Sequence, residues 1–318
     1  MSMVTLFPPN LESARESAHS SAAAPLRELG PYASFGERCV ALARYLGQTE
    51  VHTYAFSVAA NVILSLFPFI VLMLTLARNV FHSRAMVDVI ADEIHYFLPV
   101  GQDFVFRNMY LVSRSHGGVQ AASIVMLLIS STGVFMPLEV ALNQVWAAKK
   151  NRSYLRNQLV SLGLAFAIGI LTLISIALTA AQHTLLSLLF LGNTDNIVFD
   201  FLAHWVLQIS AVGVSILIFL LIYWVLPNRR LPLVAVLPAA VTTGVLWEVA
   251  KHLYIAALPL FDFRSVYGPF SVSVSLMMWA FVSGLLMLAG AHYSASRHAQ
   301  RLAREIGLDP ADAPTSRA

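Results

Sequence analysis

Three ionisable residues stand where an apolar chain rarely places them. The run GVLWEVAKHLYIAAL, Gly244 to Leu258, carries Glu248, Lys251 and His252. If the run is helical, Glu248 and Lys251 fall one turn apart on one face, within reach of an ion pair. An ionised group at the centre of a bilayer costs about 2.5–3.5 kcal/mol on insertion scales. Two readings follow. The two charges neutralise each other and lock a helix bundle, or they line a water-filled or headgroup-binding cavity in which Glu248 holds a proton or a ligand. A second polar set, Ser57, Asn61 and Ser65, repeats every fourth residue just before Pro68. In hydrocarbon such a stripe turns toward other helices, as packing contacts or as one wall of a polar cavity. We expect Asn61, Glu248 and Lys251 to border one shared cavity. The remaining inventory is thin. His82, His95, His116 and His204 have no metal-ligand spacing, and no Walker-type loop, H-E-x-x-H or G-x-S-x-G occurs. Cys39 is the single cysteine, which excludes an internal disulfide and a cysteine-based zinc cluster. No catalytic residue, metal or cofactor is expected.

The elements that must carry these groups are membrane helices. Hydrophobic residues make up 58% of the 318 and charged ones 12%, against about 25% charged in soluble domains. Mean hydropathy is +0.70. The fold class is therefore all-α, a polytopic bundle. A span needs about 20 mostly apolar residues, and six stretches qualify: 54–77, 119–138, 159–181, 201–226, 233–258 and 272–292. Residues 1–34, rich in Ser, Ala and Pro, read as a disordered tail without a signal peptide, residues 35–296 as the membrane domain, and 297–318 as a second tail. Phe35, Cys39, Leu42, Ala43 and Leu46 recur at helical spacing, as in a surface-lying amphipathic helix. The connection 78–118 carries an apolar stripe through Met86, Val89, Ile90, Ile94 and Phe97, and a second stripe through Phe104, Asn108, Met109 and Val112. These read as amphipathic helices that cap the bundle, or as a lid or docking surface. Ser161, Ala165 and Gly169 form a small-residue packing face. Fourteen Lys and Arg fall on the side of the termini and five on the other, which favours both termini in the cytoplasm.

Four ordered stretches are similar to one family. They are YAFSVAANVILSLFPFIVLMLTL with Pro68, then PLEVALNQVWAAKKNRSYLRNQL with Glu139, Asn143 and Trp146. LPNRRLPLVAVLPAAVTTGVLWEVAKHLY follows with Pro227, Asn228, Arg229 and Trp247. The last is YGPFSVSVSLMMWAFVSGLLMLAGAHYSA with Tyr267, Gly268, Trp279 and Gly290. Over about residues 36–300 the chain resembles the YihY/BrkB family of bacterial inner-membrane proteins. The resemblance implies six spans, cytoplasmic termini and an inner-membrane location. It also implies links to serum resistance and to export of envelope lipid or lipopolysaccharide. An old family label, ribonuclease BN, is regarded as mistaken. One departure stands out: the family's Gly-Ala-Glu near the end of the last span is here Gly290-Ala291-His292.

The functional expectation is a transporter or export factor for a lipid or small amphiphile in envelope maintenance. The alternative is a non-catalytic scaffold that docks envelope proteins through the outer loop. The partners expected are membrane lipids and envelope proteins, not nucleic acid, because the chain offers no soluble domain large enough for tRNA. The sequence sets no oligomeric state.

Overall fold

The computed structural model describes residues 34–97, 125, 133–148, 152–189 and 197–305. Among the described residues there are helices and no strands. Helix α1 spans Phe35–Leu46. A capping box opens it: the Ser34 hydroxyl accepts from Glu37 N at 3.3 Å, and the Glu37 carboxylate accepts from Ser34 N at 2.6 Å. Helix α2, Thr49–Asn79, runs through Pro68 without a break. Its 31 residues reach about 46 Å, longer than the roughly 30 Å hydrocarbon layer. Helix α3, Arg84–Phe97, follows. Helix α4 covers residues 133–145. Helix α5 is Tyr154–Leu189, α6 Ile197–Val225 and α7 Leu233–Phe261. A short α8, Phe263–Tyr267, and a 3-10 turn, Gly268–Phe270, lead into α9, Ser271–Glu305.

Five of these helices are long and apolar enough to cross a membrane: α2, α5, α6, α7 and α9. They match five of the six expected spans. The other, 119–138, lies outside the described residues except for residue 125 and the stretch 133–138, which begins α4. The first tail, the second stripe of the connection, His116 and the side chains of His95 and His204 also lie outside them. The last helix continues to Glu305, well beyond the expected end at 292, because its extension still buries Ala295, Ser296 and Gln300.

The packing order closes a ring. α5 lies on α6, α6 on α7, α7 on α9, α9 on α2, and α3 bridges α2 and α5. One apolar core, around Leu138, Leu142, Tyr223, Leu226, Val236 and Leu288, sits toward the end that carries the basic loops. A second core, around Leu74, Ala77, Met86, Ile90 and Ile94, closes the far end. The stripe expected on α3 is therefore real: Met86, Ile90 and Ile94 are buried against α2 and α5, while Asp88 and Asp92 are exposed. Large apolar residues such as Leu159, Phe166, Ile174, Val241 and Leu253 remain exposed, as expected of faces that lipid covers. In the small-residue set on α5, Ser161 is fully buried, whereas nothing approaches within 4 Å of a Cβ built on Gly169.

Candidate functional site

Glu248 lies on α7, and its side chain is 5% exposed. Each carboxylate oxygen has one partner. Ser215 of α6 donates to Oε1 at 2.6 Å, and Lys251 Nζ lies 2.6 Å from Oε2. Lys251 is 15% exposed, and its ammonium stands 5.4 Å from the centre of the Trp247 ring. The His252 ring nitrogen Nδ1 is 2.7 Å from the Glu248 carbonyl. α7 can come this close to α6 because Gly244 sits against the Ile216 backbone, where a Cβ would meet Ile216 Cα at 3.0 Å. The carboxylate thus takes a charge-assisted hydrogen bond from the neighbouring helix at Oε1 and a close ion pair within its own helix at Oε2.

Beside this pair, the helices border a half-open apolar chamber of about 580 Å³. Val62 and Ile70 of α2, Ile90 and Ile94 of α3, Phe135 of α4 and Trp279 of α9 are among its walls. Trp247 contributes its indole, donates to Ser283 Oγ at 3.0 Å and packs on Trp279 at 5.5 Å between ring centres. Asn61, Glu248 and Lys251 are not among the residues lining this chamber. Asn61 donates to the Ser57 carbonyl at 2.8 Å, and a Cβ on Gly133 of α4 would run into its carboxamide. Ser65 bonds back to Val62 O at 2.8 Å. The stripe on α2 serves its own helix and the contact with α4.

A third polar cluster closes the end with the basic loops. Arg152, just ahead of α5, donates Nη1 to Leu226 O at 3.0 Å and Nη2 to Val225 O and Pro227 O, both at 3.1 Å. These carbonyls end α6, where the helix dipole is negative. Asn143 Oδ1 accepts from Asn228 N at 2.7 Å, and Arg229 Nη1 donates to Trp146 O at 3.0 Å. The chain leaves α4 with Ala147 at φ 47°, the left-handed conformation in which a helix end usually has glycine. Glu139 of α4 is 2% exposed. Its Oε1 is 3.5 Å from Asn143 Nδ2 and 4.0 Å from Arg152 Nη1, and its Oε2 is buried without a hydrogen bond. Glu139 lies past the expected apolar span, and burial pushes its carboxyl above the usual carboxylate range, against the opposing pull of Arg152 and Asn143.

Six of the positions quoted for the resemblance therefore meet in one clasp, in two local groups, Glu139, Asn143 and Trp146 with Pro227, Asn228 and Arg229, that are far apart in sequence. Gly290 has its own reason: a Cβ there would collide with Thr243 Oγ1 and the Tyr223 hydroxyl. Tyr223 is fully buried and donates to Met287 O at 2.7 Å. Gly268 takes φ 51° in the turn after Tyr267. Trp279 packs on Trp247 and Tyr254. His292 is 4% exposed and stacks on Tyr45 of α1, ring centres 4.5 Å apart, so it is a buried contact rather than a group at an open interface. Sequence reasoning missed Ser215 and Tyr223, which are single polar residues in apolar runs with no spacing signal. It counted Arg152 only as a loop charge. Among the described residues no cluster of three or more His, Cys, Asp or Glu could hold a metal.

Five helices long and apolar enough to cross a membrane, with large apolar residues left on their outer faces, mark a multi-pass integral membrane protein. A family profile described as Virulence factor BrkB matches residues 42–314. The chain belongs to that family. A protein of Bacillus subtilis named as ribonuclease-like protein YfkH is 26% identical over 246 residues, 75% of this chain and 87% of its own length. A UPF0761 membrane protein of Acinetobacter baylyi is 26% identical over 204 residues, 62% of this chain but 46% of that longer protein. Another, of Alteromonas mediterranea, is 23% identical over 283 residues, 87% of this chain and 90% of its own. No solved structure matches the chain.

Proposed function

We propose that the protein binds a lipid or small amphiphile within the bacterial inner membrane and moves it for envelope maintenance, as a transporter or export factor without catalytic activity. The observation that carries this reading is the chamber. Its volume of about 580 Å³ falls within the range of about 300–1,000 Å³ common for ligand sites, and its walls suit hydrocarbon. A lipid tail gains nothing from the hydrophobic effect on leaving the bilayer for such a chamber, since both are apolar. Selection must therefore come from shape and from a headgroup. The charged group that adjoins the wall residue Trp247 is the Glu248–Lys251 pair, with a partly exposed ammonium suited to an anionic head. The Ser57, Asn61 and Ser65 stripe is assigned to packing. In this reading the basic clasp faces the cytoplasm, following the excess of Lys and Arg at that end. The alternative of a docking scaffold draws less support, because the apolar stripe of α3 is already covered by the bundle.

Native mass spectrometry of protein released gently from the membrane tests the proposal, with Ser175→Phe and Lys251→Met alongside. Ser175 lines the chamber, so the larger ring fills it. A bound lipid on the wild type that is lost in folded Ser175→Phe supports the reading. An empty spectrum for folded wild type, or equal occupancy in the filled variant, refutes it. Loss in Lys251→Met as well assigns the headgroup to the ion pair.

A further inference from the structure

The clasp contains a carboxyl group that its surroundings treat as neutral. Glu139 is almost wholly buried, yet it has one hydrogen bond at the 3.5 Å limit and one oxygen with none. A buried carboxylate ordinarily collects several short, charge-assisted bonds. The obvious counterion is Arg152, but both terminal nitrogens of its guanidinium are committed to the three carbonyls at the end of α6, and its Nε, left without a hydrogen bond, does not reach the carboxylate. Its contact with Glu139 is at 4.0 Å. Those carbonyls, with the negative end of the α6 dipole, already compensate the arginine charge. Among the described residues, no other charged or titratable group around the clasp is hydrogen-bonded to the orphaned oxygen of Glu139. Arg229 is bonded to the Trp146 carbonyl, Arg156 lies a turn along α5, and His298 of α9 faces the Trp146 ring at 6.0 Å between centres. Arg152 thus has two competing sets of acceptors, and the structure shows it on one of them.

We propose that Glu139 is a proton-binding site: it carries a proton while Arg152 grips the end of α6, and its ionisation draws Arg152 away and opens the clasp between α4 and the α6–α7 turn. The ligand is a proton, taken up by one carboxylate oxygen and released as the carboxylate forms. The consequence is a turn, residues 226–232, whose attachment to the bundle depends on pH. The site stands apart from the lipid reading, and either can fail alone.

The test combines infrared spectroscopy and hydrogen exchange on the full chain in lipid nanodiscs. At neutral pH the wild type is expected to show the carbonyl stretch of a protonated carboxyl, absent in Glu139→Gln and retained in Glu248→Gln, the control for the other buried carboxyl. Between neutral and alkaline pH, amide exchange in the 226–232 turn, corrected for its intrinsic pH dependence, should rise about tenfold in wild type, one pKa unit's worth of coupling. It should stay flat in Glu139→Gln. A wild type without the protonated band, or two proteins with the same corrected exchange profile, overturns the proposal. If Glu139→Gln does not fold, the band is titrated in Glu248→Gln. Its loss in step with faster exchange supports the site, and its absence at neutral pH overturns it.

Discussion

Replacing Lys251 with Met isolates the ion pair from the shape of its helix, since Met has a similar length and good helix propensity. In the wild type the Glu248 carboxylate is held by Ser215 and by Lys251, each at 2.6 Å. Lys251→Met leaves the carboxylate with the serine alone. Breaking a buried pair in this way costs about 3–5 kcal/mol. The ammonium is 15% exposed rather than sealed, so the lower part of that range applies, about 3 kcal/mol. Loss of the Trp247 contact adds about 0.5–1 kcal/mol. The double variant Glu248→Gln/Lys251→Met removes both charges and should come within about 1 kcal/mol of wild type, because a buried pair is close to neutral against an uncharged replacement. Equilibrium unfolding in lipid nanodiscs or mixed micelles, run as a double-mutant cycle, gives the coupling directly. Additive single effects, or a harmless Lys251→Met, would refute the reasoning: the ammonium would then snorkel away from the carboxylate instead of neutralising it.

Three further outcomes are expected. Ala147→Gly should raise the melting temperature by the equivalent of about 0.5–1 kcal/mol, since relief of a left-handed alanine, about 1–2 kcal/mol, exceeds the added glycine entropy; an unchanged melt counts against the strained turn. Gly290→Ala should cost about 1–3 kcal/mol by overpacking, and Thr243→Ala in the same chain should return part of it, because the added methyl meets the Thr243 hydroxyl and Tyr223. The third concerns pH. Because burial raises the Glu139 carboxyl in the folded chain, folding takes up a proton. That contribution is complete below the ordinary carboxylate range and is lost as pH rises through the folded value. Wild-type stability should therefore fall across that upper window more than that of Glu139→Gln; a parallel pair of pH profiles refutes it.

The spans were legible because length and hydropathy alone set them: α2, α5, α6, α7 and α9 lie where apolar runs of sufficient length occur. The face of α3 was legible from its period, and Met86, Ile90 and Ile94 are buried as their spacing implies. The Glu248–Lys251 contact followed from helical geometry. Its third member did not, because Ser215 comes from another helix and an isolated serine in an apolar run carries no signal of what it faces. That the described chamber is not lined by Asn61, Glu248 or Lys251 was illegible for a similar reason. Periodicity gives the direction of a residue around its own helix, not the neighbour that helix turns toward, and Asn61 turns to α4 while Glu248 turns to α6. The clasp was visible only as scattered motif residues; Asn143 and Asn228 meet across 85 positions of sequence.

The place of α9 in the ring bears on the order in which the molecule can be made. α9 is the described partner of α1, α2 and α7 at once, and of the described helices it is the last to be synthesised. At about 5–20 residues per second, the 226 residues between the end of α2 at Asn79 and the end of α9 at Glu305 take about 11–45 s to emerge. For that interval α2 waits in the membrane with the face around Ala55, which Gly284 of α9 will cover, lacking its eventual neighbour. A ribosome that stops before Ser271 releases a chain that has inserted but cannot close, a substrate for membrane quality control rather than a smaller working protein.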